Sequence, residues 1–184
     1  HRTYPLISAL SEKEALDALK ACVGEVFAQA ISENFRSTGW YLRLEKRLPA
    51  YIAWQCEQEK EGWRYAASEN SLSIHLDLGH HKTLELHGRI DRLDSKQSSP
   101  GTTEYRLLDY KTQTAKAIKE RLGDDIQLPV YALLHGDAAE TAYVALDDET
   151  VNAFSSSKSS EELHLLAQQQ EERLITVFNL LHAG

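Results

Sequence analysis

The chain has 184 residues, 42% of them apolar and 26% charged, with a net charge of −8. That length suits one domain with a real core, and the composition is that of an ordinary globular protein. The acidic balance argues against a free-standing nucleic-acid binder, because phosphate affinity comes mainly from Lys and Arg, so any such role must rest on a local site or a neighbouring domain. No run approaches the roughly 18 apolar residues of a membrane helix, and no leader pattern opens the chain, so a cytoplasmic location is the expectation. Cys22 and Cys56 lie too far apart for a zinc ribbon or an iron-sulfur cluster built by this chain alone. There is no methionine, and the first residues are HRTYPLISAL, which reads as a fragment of a longer protein.

Residues 11–36 place Leu16, Leu19, Val23, Val26, Phe27 and Ile31 at helical spacing behind a Ser11/Glu14 capping box, which predicts an amphipathic helix. Gly39 breaks that pattern. Trp40, Leu44, Leu48 and Ile52 restart it, with Pro49 placed to kink or divide the second helix. From residue 71 the period becomes two. SLSIHLDL and TLELHGRIDRLD are joined by the turn GHHK and predict a hairpin. Residues 95–103, SKQSSPGTT, read as a polar loop, and EYRLLDYKT as a third strand. AKAIKERL predicts a short helix. DDIQLPVYALLHG predicts another, with an acidic cap before Ile126 and Pro129 in the first turn, where a missing N–H costs nothing. Thr141–Leu146 reads as a fourth strand, 154–162 as a flexible serine-rich loop, and the remainder as a closing helix. The order predicts an α/β fold, a mixed sheet of about four strands flanked by helices, behind an N-terminal helical region.

Within this frame Asp109 and Lys111 in LLDYKT stand two apart on one strand face, roughly 7 Å along the backbone. A carboxylate there can ligate a divalent cation, and the ammonium can steady the attacking water. The pattern alone is weak: D-x-K arises by chance about half a time in a chain of this composition. It recurs at Asp94–Lys96, which is discounted as the start of a polar loop. Taken alone, the pair is equally a surface ion pair at a strand end. Asp91 adds a second acid from the neighbouring strand, after a glycine, Gly88, that admits close backbone approach. Two carboxylates are the minimum for a magnesium site. Gln127 and Tyr131, four apart on one helix, share a face.

The ordered set GRIDRLD, LLDYKT and QLPVYALL resembles the RecB-type nuclease domains of the PD-(D/E)XK superfamily, including AddB-like nucleases and related proteobacterial DNA-repair proteins. The resemblance runs from Gly88 to Leu134 and extends more weakly over Leu48–Asn70. It implies a restriction-endonuclease-like core and a single nuclease domain over 1–184, helical at 1–66 and with the core at 67–184. It implies Asp91, Asp109 and the Tyr110 carbonyl as ligands of Mg²⁺ or Mn²⁺, and Lys111 as the group that orients water. Gln127 and Tyr131 match the helix motif bordering the site, and Arg92 would brace Asp91 or meet a phosphate. The implied activity is metal-dependent, exonuclease-like cleavage of DNA in repair or recombination, beside a helicase-like domain or subunit.

One departure stands beside this. The resemblance also implies a metal-contacting histidine on an early helix; the only early one is His1, and the next, His75, is in a strand, so this fragment is expected to have an incomplete site. The rival reading follows: a nuclease fold kept as a non-catalytic DNA-end or protein-interaction module. Glu69 is a candidate extra acid but reads better as solvated. His75, His80, His81 and His87 read as a polar hairpin rather than a zinc site. Trp40, Trp54 and Trp63 are expected in the core rather than as a base-stacking platform. No G-x-S-x-G or P-loop is present.

Overall fold

The computed structural model describes the backbone of residues 6–183, which leaves His1 outside the described residues. Two long helices come first, α1 (Glu12–Glu33) and α2 (Arg36–Lys60). Ser11 and Glu14 form the capping box reciprocally, with the Ser11 side chain accepting from the Glu14 N–H and the Glu14 carboxylate from the Ser11 N–H. The break falls at Asn34–Phe35 and not at Gly39, because Asn34 Oδ1 accepts the Arg36 N–H in a local turn that ends one helix and starts the next. Pro49 lies on the exposed side of α2 and does not divide it.

The apolar stripe of α1 is not a core stripe. Phe27 meets Tyr41 of α2 edge-on at 5.9 Å, but Val26 is 75% exposed and only Ala15 of α1 is buried, because α1 packs on α2 and not on the sheet. Trp40 is likewise 50% exposed, against the expectation of a core residue, whereas Trp54 and Trp63 are buried.

Five strands follow in the spatial order β1-β2-β3-β4-β5: β1 (Arg64–Gly79), β2 (Lys82–Ser99), β3 (Thr102–Lys111), β4 (Ala138–Ala145) and β5 (Asn152–Ser155). All neighbours are antiparallel except β3 and β4, which are parallel. The β1–β2 hairpin turns through His80 and His81, both left-handed at φ 51° and 59°. Residues 95–103 are strand rather than loop up to the turn at Pro100–Gly101, where Gly101 supplies φ 85°. Polar cross-strand pairs such as Gln97–Thr103 hold that stretch, so no apolar alternation betrays it. The last two residues of β5 overlap the segment read as flexible; four residues are too short for a periodic signal, and its pairing with Ala142–Ala145 is tertiary.

Helices α3 (Ala115–Arg121) and α4 (Gln127–His135) connect β3 to β4, and α5 (Ser160–Ala183) closes the chain. Asp125 Oδ1 accepts the N–H groups of Gln127 and Leu128 and so starts α4; Gly136, at φ 82°, ends it. β3 separates two layers. Leu107 joins Ile90, Tyr131, Leu134 and Leu163 in a core beneath α4 and α5, while Leu108 joins Trp54, Ala142 and Val144 beneath α2. A Cβ at Gly88 would overlap the end of the Leu134 side chain, so glycine there lets α4 lie close against β2 without displacing it.

Candidate active site

The site begins where β2 leaves β3. Their pairing runs from the hairpin turn to Arg92–Leu108 and stops there. Ile90 and Leu93, three positions apart, both pack on the α4 side, so the inward-outward alternation slips by one between them, opposite Glu69 at φ 50°. Beyond the last pair the Tyr110 N–H is taken by a side chain, Asp91 Oδ2, at 2.9 Å. The irregularity thus turns Asp91 toward the α4 side, which Asp109 and Lys111 share through β3 alternation.

Asp109 is buried, and its Oδ1 accepts from Gln127 Nε2 at 3.1 Å and from the Tyr131 hydroxyl at 3.2 Å. Gln127 Nε2 also lies 2.6 Å from the Tyr131 hydroxyl oxygen, while its carbonyl accepts from Lys111 Nζ at 3.2 Å and the Tyr143 hydroxyl at 3.0 Å. One amide thus presents its N–H₂ to the acid and its oxygen to the base. Lys111 Nζ stands 2.6 Å from Asp109 Oδ2 and 4.7 Å from the Tyr143 ring centre. Burial raises the Asp109 carboxyl above its ordinary range against the pull of Lys111, with the Asp91 charge adding to the rise. Burial likewise pushes the Tyr131 phenol up to about 12, so it stays a neutral donor at pH 7. An open pocket of about 510 Å³ is lined by Lys111, Gln127 and Tyr143 together with Arg121, Asp124 and Asp125.

Each acid has one oxygen fixed by hydrogen bonds, and the other is left to Lys111 in Asp109 and to no described residue in Asp91. Asp109 Oδ2 touches Lys111 but accepts no hydrogen bond of good geometry, and Asp91 Oδ1 accepts none among the described residues. Two carboxylates on adjoining strands are the donor type that a hard divalent cation takes. No group of three or more His, Cys, Asp or Glu side chains converges in that way among the described residues.

Other expectations land elsewhere. Arg92 neither braces Asp91 nor faces a substrate: it is buried under α2, donating to Asp94 Oδ1 at 2.6 Å and to the hydroxyls of Tyr51 and Tyr110 at 3.0 and 3.1 Å. Its neighbour in the sequence points to one face of the sheet and it points to the other. Asp94, set aside as a loop acid, is fully buried between Arg92 and Arg106. Glu69 pairs with Arg89 at the surface, at 3.0 Å. His75 and His87 flank Glu85 on the exposed hairpin. Tyr143 escaped the sequence reading; its signal was its place in TAYVAL, in register with Asp109 across the parallel pair.

A mixed five-stranded sheet between helical layers, with an acid and a lysine two apart where its central strand ends, defines the restriction-endonuclease-like class. The chain belongs to the PD-(D/E)XK nuclease superfamily, whose sequence profile matches residues 2–182. A solved structure titled "Crystal structure of SSO0001" is similar at 13% identity and a TM-score of 0.38, over 95% of this chain and 79% of that one. No curated protein matches the sequence.

Proposed function

We propose that this chain is a metal-dependent deoxyribonuclease that hydrolyses phosphodiester bonds by in-line attack of water. The observation that carries the reading is the Asp109 carboxylate, locked through one oxygen by Gln127 and Tyr131 with Lys111 against the other. Asp91, Asp109 and the Tyr110 carbonyl would hold Mg²⁺ or Mn²⁺. The bound ion supplies Lewis-acid stabilisation of the phosphate and a more acidic water.

The chain's own groups do the rest. Gln127 and Tyr131 fix the rotamer of Asp109, so its other oxygen is held against Lys111. Tyr143 and the Gln127 carbonyl hold Lys111 beside the pocket, where its remaining N–H groups can donate to water and to a phosphate oxygen. An ammonium so placed opposes the negative charge that grows on the phosphoryl oxygens. The RecB and AddB resemblance supports a role in double-strand-break repair or recombination, with a helicase-like domain or subunit delivering DNA to a chain that is itself acidic.

The test is cleavage of linear single- and double-stranded DNA with magnesium or manganese, comparing the chain with Asp109→Ala. Metal-dependent cleavage should vanish in the variant, and Asp91→Ala should remove a metal site in a manganese titration. Identical traces with and without Asp109 would leave only the interaction-module reading.

A further inference from the structure

The stripe by which α2 packs on the sheet does not stop where the sheet stops. Gln58 meets Arg106, Tyr51 meets Tyr110, and Arg47 donates to the Asp147 carbonyl at 2.8 Å, just past the end of β4. Passing toward the N-terminus of α2 therefore follows β3 to its end at Lys111 and then leaves the sheet. At helical spacing the same stripe continues as Arg43, Trp40 and Arg36, reaching about 17 Å beyond Arg47. The side of α2 that α1 covers is a different one: Tyr41 meets Phe27, and Glu45 pairs with Lys20 at 3.5 Å.

Three features of this overhang are not explained by folding. Arg36, Arg43, Lys46 and Arg47 stand against Glu45 alone within one half of a helix, in a chain of net charge −8. The first turn of α2 carries no acid and one base, Arg36, which opposes the helix dipole. Trp40 is half exposed, with the Arg43 guanidinium 5.2 Å over its ring on one side only. A cation-backed indole beside basic side chains is the chemistry that stacks a nucleobase and neutralises the adjoining phosphates.

We propose that Arg36, Trp40 and Arg43 form a track for single-stranded DNA, which leads the strand along the overhang of α2 to the end of β3 that carries Lys111. The inference rests on the deoxyribonuclease reading for the identity of its ligand, but binding can be read without cleavage. The experiment is fluorescence anisotropy of a labelled oligothymidylate strand with the full chain and a chelator present, over a salt series. Trp40→Ala should weaken binding on the order of tenfold, and Trp40→Phe should restore most of the loss. Changing Arg36 and Arg43 together to Gln should flatten the log–log salt dependence by about 1.4, from two phosphate contacts on a single strand.

Unchanged affinity and salt slope in these variants, in a chain that cleaves DNA, would overturn the track alone. A chain that binds in this way yet never cleaves would overturn the nuclease reading alone. If Trp40→Ala changes the sedimentation of the protein and leaves oligonucleotide affinity intact, the stripe is a protein interface and the track is wrong.

Discussion

Asp91 and Arg92 are neighbours in β2, Asp109 and Tyr110 neighbours in β3, yet each pair sends one side chain to each face of the sheet and so builds two polar clusters back to back. Under α2, Asp94 accepts from Arg92 and Arg106, Arg106 donates also to Gln58, and the Tyr51 and Tyr110 hydroxyls meet each other at 2.9 Å beside Arg92. Trp54 and Trp63 lie against the two guanidinium groups. Both oxygens of the acid there are used. On the α4 side, Asp109 and Asp91 each keep an oxygen without a hydrogen bond. An acid whose two oxygens both accept hydrogen bonds holds strands together, whereas acids that keep an oxygen without one are the candidates for a ligand.

Replacing one acid in each cluster should separate these roles most sharply. Asp94→Ala strands two buried arginines, and the loss of a partner from such a network costs about 3–5 kcal/mol of unfolding free energy. Asp109→Asn keeps an acceptor for Tyr131, so denaturant melts should change by less than about 1 kcal/mol, while metal-dependent cleavage falls by about a hundredfold or more. The comparison breaks if Asp94→Ala melts like the parent, or if Asp109→Asn unfolds the chain.

The two tyrosines sharpen it at smaller amplitude. Tyr131→Phe removes a donor that orients Asp109, which should slow cleavage about tenfold with little change in melting. Tyr110→Phe removes the hydroxyl shared by Arg92 and Tyr51, a hydrogen bond to a charged group worth about 1.5–3 kcal/mol. Its backbone N–H still holds Asp91, so the residual folded fraction should cleave normally. Kinetics normalised to folded protein, alongside urea melts, would check both, and the reverse pattern would show that the faces are not independent.

Much of the site face was legible because its signal is local. The i, i+2 spacing in LDYK and the i, i+4 spacing of Gln127 and Tyr131 state which residues share a face, and the structure brings these four together. Gly88 likewise announced a close approach, which proves to be that of Leu134. The back face was not legible. Alternation from Ile90 would send Arg92 toward α4, and only the slip opposite Glu69 sends it under α2, a shift that no residue type in GRIDRLD marks. Asp94 was misplaced for a related reason: the strand continues through SKQSS, whose polar residues carry no period. Trp40 was misread because the stripe of α2 is helical throughout, and where the sheet ends beneath it is a tertiary fact.

The smallest expected effect concerns a titratable group on the α4 side but at the far end of that helix. His135 Nδ1 is buried without a partner, and the ring lies against Tyr105 at 5.1 Å. Burial holds its imidazole below the ordinary 6.5, against the opposing pull of Asp137. A base whose folded pKa is depressed contributes fully above its unfolded value; the contribution is lost as the pH falls through 6.5 toward the folded one, since the unfolded chain then binds the proton more readily. Between about pH 8 and pH 5.5, around the ordinary histidine value, the parent should therefore lose more stability than His135→Gln, a difference that cancels the titrations common to both chains. Cleavage per folded molecule should be the same in the two at every pH, because His135 is not among the groups that hold Asp109 or Lys111. A pH-dependent difference in cleavage between them would mean that an unpaired group on this face reaches the site through α4, and that the division between the clusters lies along the helix as well as across the sheet.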